Sequence, residues 1–237
     1  MQPTIHYENQ LLLLKAEISK MLSLVHQLFR MSVQSMEDGD ERMAQRVLQL
    51  DDEIDDLDRK VEESVYDING RFKPMIKELR YSTTMIKFSN NLERIADLAC
   101  NFAKKTIELK QLHKKYDPPK ELREMIGLSM DMVRDTFTAF GDRNLELTKD
   151  IILRDKRVDN LEKELAIKLA ELHKSEALSS EEIIIYALIA RDIERIADHA
   201  KNLCGETYYI ETGEEIKPII KEMKNKMAEQ KETKEKE

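Results

Sequence analysis

From about residue 6 to residue 213, apolar residues recur three and four positions apart, and Gly, Pro, Asn and Asp interrupt them at only a few points. That spacing gathers apolar side chains on one face of a helix with 3.6 residues per turn. Between His6 and Glu37 the face carries Ile18, Met21, Leu22, Val25, Leu28, Phe29, Val33 and Met36. Asp38-Gly39-Asp40 reads as a turn, and Glu41 to Asn69 repeats the pattern with Val47, Leu50, Ile54, Leu57, Val61, Val65 and Ile68. Asn69-Gly70 is expected to close that helix. Lys73-Pro74 is expected to open a third, running to about His113, because proline costs nothing in a first turn.

Asp117-Pro118-Pro119 is the strongest break, and it lies at the middle of the chain. Three more helices are expected after it: Glu121 to Phe140, Asn144 to Lys174, and one capped by Ser179 or Ser180 that ends near Thr212-Gly213. Glu182 three residues after Ser179 completes a capping box. The pattern therefore predicts an all-α protein of two tandem, pseudo-symmetric, antiparallel three-helix bundles, since short turns make consecutive helices antiparallel neighbours. The expected bounds are 1–116 and 117–213, followed by a charged, frayed tail over 214–237.

Internal repetition supports the duplication. Residues 91–99 (NLERIADLA) match 192–200 (DIERIADHA) at an offset of 101. Residues 51–58 (DDEIDDLD) match 155–162 (DKRVDNLE) at an offset of 104, and the turns at 38–40 and 142–144 align at the same offset. One three-helix unit repeated twice accounts for all three alignments.

Each unit carries two acidic pairs at i, i+4: Asp51/Asp55 with Glu93/Asp97, and Asp155/Asp159 with Glu194/Asp198. Residues four apart differ by about 40° around a helix and about 6 Å along it, so both carboxylates leave one face. If the second and third helices of each unit lie side by side, four carboxylates converge, and such oxygen ligands suit hard cations. Asn101 and Asn202 extend the stripe by a turn, and His199 adds a nitrogen in the second unit only. The alternative is a solvated acidic surface, with Asp55–Arg59, Asp159–Lys163, Glu194–Arg191 and Asp198–Lys201 as ion pairs.

Charge and composition narrow the classes. Of 237 residues 36% are charged, and the net charge is −8 with no basic stripe, which argues against nucleic-acid binding. Cys100 and Cys204 are too few for a disulfide framework and read as buried thiols. No run approaches the roughly 18 apolar residues of a membrane span, and Leu11–Leu14 lacks the flanks of a signal peptide, so a cytoplasmic location is expected. No Glu-x-x-His, phosphate loop or nucleophile elbow occurs.

Leu92 to Asp97 and Ala190 to Asn202 closely resemble the signature stretches of the PhoU family of phosphate-transport accessory proteins. Pro74 to Arg80 and Tyr209 to Gly213 also fit, while Ala96 and Ala197 stand where many relatives have Gly. The resemblance implies a non-enzymatic negative regulator of the phosphate-starvation response. Its partners would be the ATPase subunit of the phosphate ABC transporter and the sensor histidine kinase of the regulon. It would approach the membrane only through those partners, and it is open to homodimerisation. The resemblance also implies metal ions at the carboxylate clusters, with iron favoured and Mg, Mn or Zn as alternatives. The ligands would be Asp51, Asp55, Glu93 and Asp97 with Asn101, and Asp155, Asp159, Glu194 and Asp198 with Asn202. Two rivals stand beside this reading: a metal-free helical adaptor, and a metal-dependent hydrolase or oxidase, which needs an enclosed site with an open coordination position.

Overall fold

Where the chain turns, side chains satisfy the backbone donors that a helix start leaves free. Asp40 accepts from the amides of Arg42 (2.9 Å) and Met43 (3.2 Å), and Asn144, its equivalent in the second unit, accepts from Leu147 (3.0 Å). Ser179 and Glu182 form the reciprocal capping box, with Ser179 Oγ accepting at 3.2 Å and Glu182 Oε2 at 2.7 Å. A computed structural model places residues 2–112, 118–223 and 225. It contains helices α1 (Gln2–Asp38), α2 (Glu41–Phe72), α3 (Ile76–Leu112), α4 (Lys120–Gly141), α5 (Leu145–Lys174) and α6 (Ser180–Thr212). A short helix, α7 (217–223), follows.

The apolar stripes face inward as their spacing requires. All eight residues named for α1 are buried, as are six of the seven named for α2, with Leu50 half-buried. Helices α1–α3 pack on one another, α4–α6 pack on one another, and α3 runs against α6 between the two bundles. The α3–α6 pair is antiparallel: Arg80 near the start of α3 stacks on Tyr209 near the end of α6, and Lys105 near the end of α3 pairs with Asp192 in the first half of α6. Phe88 on α3 meets Phe140 on α4 with ring centroids 4.6 Å apart. A single buried apolar cluster therefore runs through both bundles.

Three expectations shift. Helix α2 passes Asn69-Gly70 and ends at Phe72, whose ring packs 5.3 Å from that of Tyr7 on α1; Lys73, at φ +47°, makes the left-handed cap. Pro74 consequently precedes α3 instead of standing in its first turn. Residues 214–223 are not a frayed tail: Pro218 stands in the first turn of α7, and Ile216 and Ile220, each 6% exposed, are buried beside α6. The apolar spacing at 216, 219 and 220 outweighs the charge of the surrounding sequence. His113, the expected boundary at 116/117 and all of the remaining tail except Asn225 lie outside the described residues.

Candidate metal centre

The first acidic pairs lie on neighbouring helices, Asp51 and Asp55 on α2 and Glu93 and Asp97 on α3, because the register of the bundle sets the two stripes side by side. Their charges register on one another. Burial first, and then the Asp97 and Asp55 carboxylates, push Asp51 above the usual carboxylate range; the Cys100 thiol and Lys104 pull the other way. Burial and then Asp97 likewise raise Asp55. Glu93 is pushed up to about 7 by burial and by Asp97, Asp55 and Asp58, with Arg94 opposing. Asp51 Oδ1 and Asp58 Oδ1 are both buried without a hydrogen-bond partner. Buried, unpartnered carboxylate oxygens among like charges are costly unless a cation arrives. Arg94 reaches Glu93 (3.4 Å) and Asp97 (3.2 Å), but from solvent, with more than half of its side chain exposed.

The second unit repeats the arrangement with a difference. Asp155 and Asp159 on α5 adjoin Glu194 and Asp198 on α6. Burial, then Glu162, Asp198, Asp159 and Asp155, raise Glu194. Asp155 is raised by burial, while Lys201 opposes that shift. Lys201 Nζ sits 2.7 Å from Asp155 Oδ2 and 2.5 Å from Asp198 Oδ1, so this cluster holds an ammonium of its own. At the repeat offset, Lys201 corresponds to Cys100, whose thiol lies 3.8 Å from the Val47 carbonyl.

Of the expected surface ion pairs, the structure records Asp198–Lys201, whereas Arg59 bonds Asp56 and not Asp55. Asn101 is exposed, and Asn202 is turned so that its amide nitrogen donates to Asp198 Oδ2 at 3.4 Å. His199 faces the other bundle, its Nδ1 2.9 Å from Asn91 Oδ1. Asp58 and Glu162 join the acids of their clusters although the i, i+4 pattern did not single them out; they stand one turn beyond Asp55 and Asp159 and match across the repeat. Among the described residues, no three His, Cys, Asp or Glu side chains stand as a ready-made ligand set. The first cluster nonetheless has the donor chemistry for a hard cation, and its buried orphan oxygens provide the reason for one.

The two signature stretches carrying Glu93/Asp97 and Glu194/Asp198 fall inside two consecutive matches to the PhoU domain, over residues 18–106 and 122–207. The chain belongs to the PhoU family. Its similarity to PhoU proteins extends over nearly the whole length. It is 42% identical over 217 residues to the phosphate-specific transport system accessory protein PhoU homolog 1 of Thermotoga maritima, covering 92% of this chain and 94% of that one. It is 29% identical to the corresponding homolog of Clostridium acetobutylicum, covering 89% and 96%. The crystal structure of PhoU from Pseudomonas aeruginosa superposes with a TM-score of 0.83 at 26% identity, covering 88% of this chain and 100% of that one. The PhoU structure from Streptococcus pneumoniae, at 24% identity and a TM-score of 0.80, shares the fold.

Proposed function

We propose that the protein is an accessory regulator of phosphate-specific transport that acts by docking and performs no chemistry of its own. The observation that carries this reading is the 42% identity, over 92% of the chain, with a relative named as an accessory protein of the phosphate-specific transport system. In this reading the chain works in the cytoplasm, contacts the ATPase subunit of the phosphate ABC transporter and the sensor histidine kinase, and represses the starvation response when phosphate is plentiful. Such coupling requires only that the protein bind one state of each partner more tightly than the other. Among the described residues no helix is long and apolar enough to cross a membrane, in keeping with attachment through partners.

The carboxylate clusters fit the same reading. Asp51, Asp55, Glu93 and Asp97 would hold a hard cation, with iron favoured and Mg, Mn or Zn as alternatives. When bound, the ion supplies positive charge that neutralises the acidic face and fixes its shape for docking. What the chain itself contributes is carboxylates on two adjoining helices, which the ion would have to draw together. One observation favours the metal-free adaptor reading for the second cluster: Lys201 already bridges Asp155 and Asp198.

Deleting the gene in its host tests the reading. Starvation genes are expected to be expressed at high phosphate, and restored repression requires the intact chain. Unchanged expression in the deletion strain would dismiss the regulatory role. Complementation with Glu93→Gln, Asp97→Asn, Glu194→Gln and Asp198→Asn together separates the two forms: lost repression by a folded chain speaks for the charged faces, and full repression for a plain adaptor.

A further inference from the structure

The two carboxylate clusters descend from one repeated unit, yet they differ at one decisive position. In the second, Lys201 Nζ lies within hydrogen-bond distance of a carboxylate on α5 and another on α6. The Lys201 side chain is 29% exposed and that of Asp155 13%, so this is a partly sheltered charge-assisted bridge and not a loose surface pair. In the first, the equivalent residue is Cys100, whose buried, uncharged thiol hydrogen-bonds the Asp51 carboxylate but brings no positive charge, and Asp51 Oδ1, equivalent by position to the Asp155 carboxylate, is buried with no hydrogen bond of its own. We infer that Lys201 stands in for the metal ion at the second cluster, so that the two clusters are unequal: the first is a cation site and the second carries its own cation.

This inference rests on the metal reading of the first cluster given above. A divalent ion entering the second cluster must share its oxygens with an ammonium that already occupies them. Like charges brought that close in a sheltered site repel strongly. The lysine must also swing out and lose two charge-assisted hydrogen bonds before the carboxylates are free. No such barrier guards Asp51 and Asp55. Lys104 and Arg59 act on Asp51 and Asp55 through their charge alone, with no ion pair to either carboxylate among the described residues, and Arg94 touches Glu93 and Asp97 on α3 from the solvent side. Lys201 thus decides which half of a duplicated protein is open to metal, and the choice is made by one residue per repeat.

Manganese(II) alone is the probe, added to metal-free full-length chain and read by electron paramagnetic resonance of the free ion. Circular dichroism checks the fold of each variant. Wild type is expected to bind manganese through the first cluster only, so that Asp51→Asn with Asp97→Asn abolishes the uptake. Lys201→Met is expected to take up about twice as much as wild type and to retain half of it when the first cluster is neutralised. Wild type that still binds manganese after the first cluster is neutralised overturns the inference while leaving the metal reading in place. So does a folded Lys201→Met chain that gains nothing over a wild type that binds. Uptake by Lys201→Met but not by wild type supports the role of Lys201 and refutes the metal reading of the first cluster. No uptake by either refutes both. Should Lys201→Met fail to fold, Lys201→Gln serves, since it keeps a polar stem but carries no charge.

Discussion

Lys105 and Asp192 form a sheltered ion pair across the α3–α6 contact, with side chains 17% and 10% exposed. Lys105→Met preserves most of the stem volume but removes the ammonium, leaving the Asp192 carboxylate buried between two helices without its counter-charge. Breaking such a pair from one side costs about 3–5 kcal/mol, mostly as the penalty of the stranded charge. The pair is not fully enclosed, so the lower end, about 3 kcal/mol, is expected here. In a chain of this size each kcal/mol moves the melting temperature by roughly 2–4 °C, so a fall of about 6–12 °C should be seen. Replacing both partners, Lys105→Met with Asp192→Leu, removes the stranded charge and should bring stability back to within about 1 kcal/mol of wild type. Thermal and guanidinium unfolding followed by circular dichroism measure all four corners of this cycle. A Lys105→Met protein within about 0.5 kcal/mol of wild type, or a double variant that sums the two single losses, refutes the reasoning. Either result would mean that water reaches the pair and that it contributes little to holding α3 against α6.

Two further predictions concern the acids and a turn. Glu93 moves from an ordinary value of 4.5 to about 7 on folding, so between those limits the folded chain binds the additional proton and its stability falls as pH rises. The metal-free protein should therefore melt higher at pH 5.5 than at pH 7.5, and Glu93→Gln should flatten the slope; a slope unchanged by Glu93→Gln assigns it elsewhere. Gly213 closes α6 at φ +81°, and a Cβ there would lie 2.1 Å from Arg80 Nη1. Gly213→Ala should cost roughly 2 kcal/mol, whereas Gly70→Ala, in the last turn of α2 with nothing within 4 Å of its Cβ position, should gain up to about 0.5 kcal/mol in chemical denaturation.

The inward faces, the turns and the capping box could be read from sequence because each depends on residues within a few turns of one another. Asp40, Asn144 and Ser179 cap their helices through amides two or three positions away. The meeting of Asp51 and Asp55 with Glu93 and Asp97 was also legible, since two i, i+4 stripes on adjacent antiparallel helices have few ways to lie. The ammonium at the second cluster was only half legible. Lys201 was visible as a neighbour of Asp198 one turn away, but its bond to Asp155 joins residues 46 apart, and only the packing of α5 on α6 supplies it. The Lys105–Asp192 pair, 87 residues apart, left no local trace at all. The overrun of α2 to Phe72 was hidden for a similar reason: Asn69-Gly70 is a local stop signal, and a tertiary contact with Tyr7 outweighs it. At 216–223, three isoleucines set among lysines and glutamates looked like solvated tail, and burial of two of them decides otherwise.

The single apolar cluster that runs through both bundles fixes the span between the two acidic faces. A partner with two matching contact sites would meet the second face at a high effective concentration once it had gripped the first, with no linker entropy to lose. Two weak grips would then act as one strong grip, and a change in the partner's own dimensions as it cycles would break both together. If the protein docks through both faces, it would work as a calliper, responding to the separation of two points on its target as well as to their chemistry.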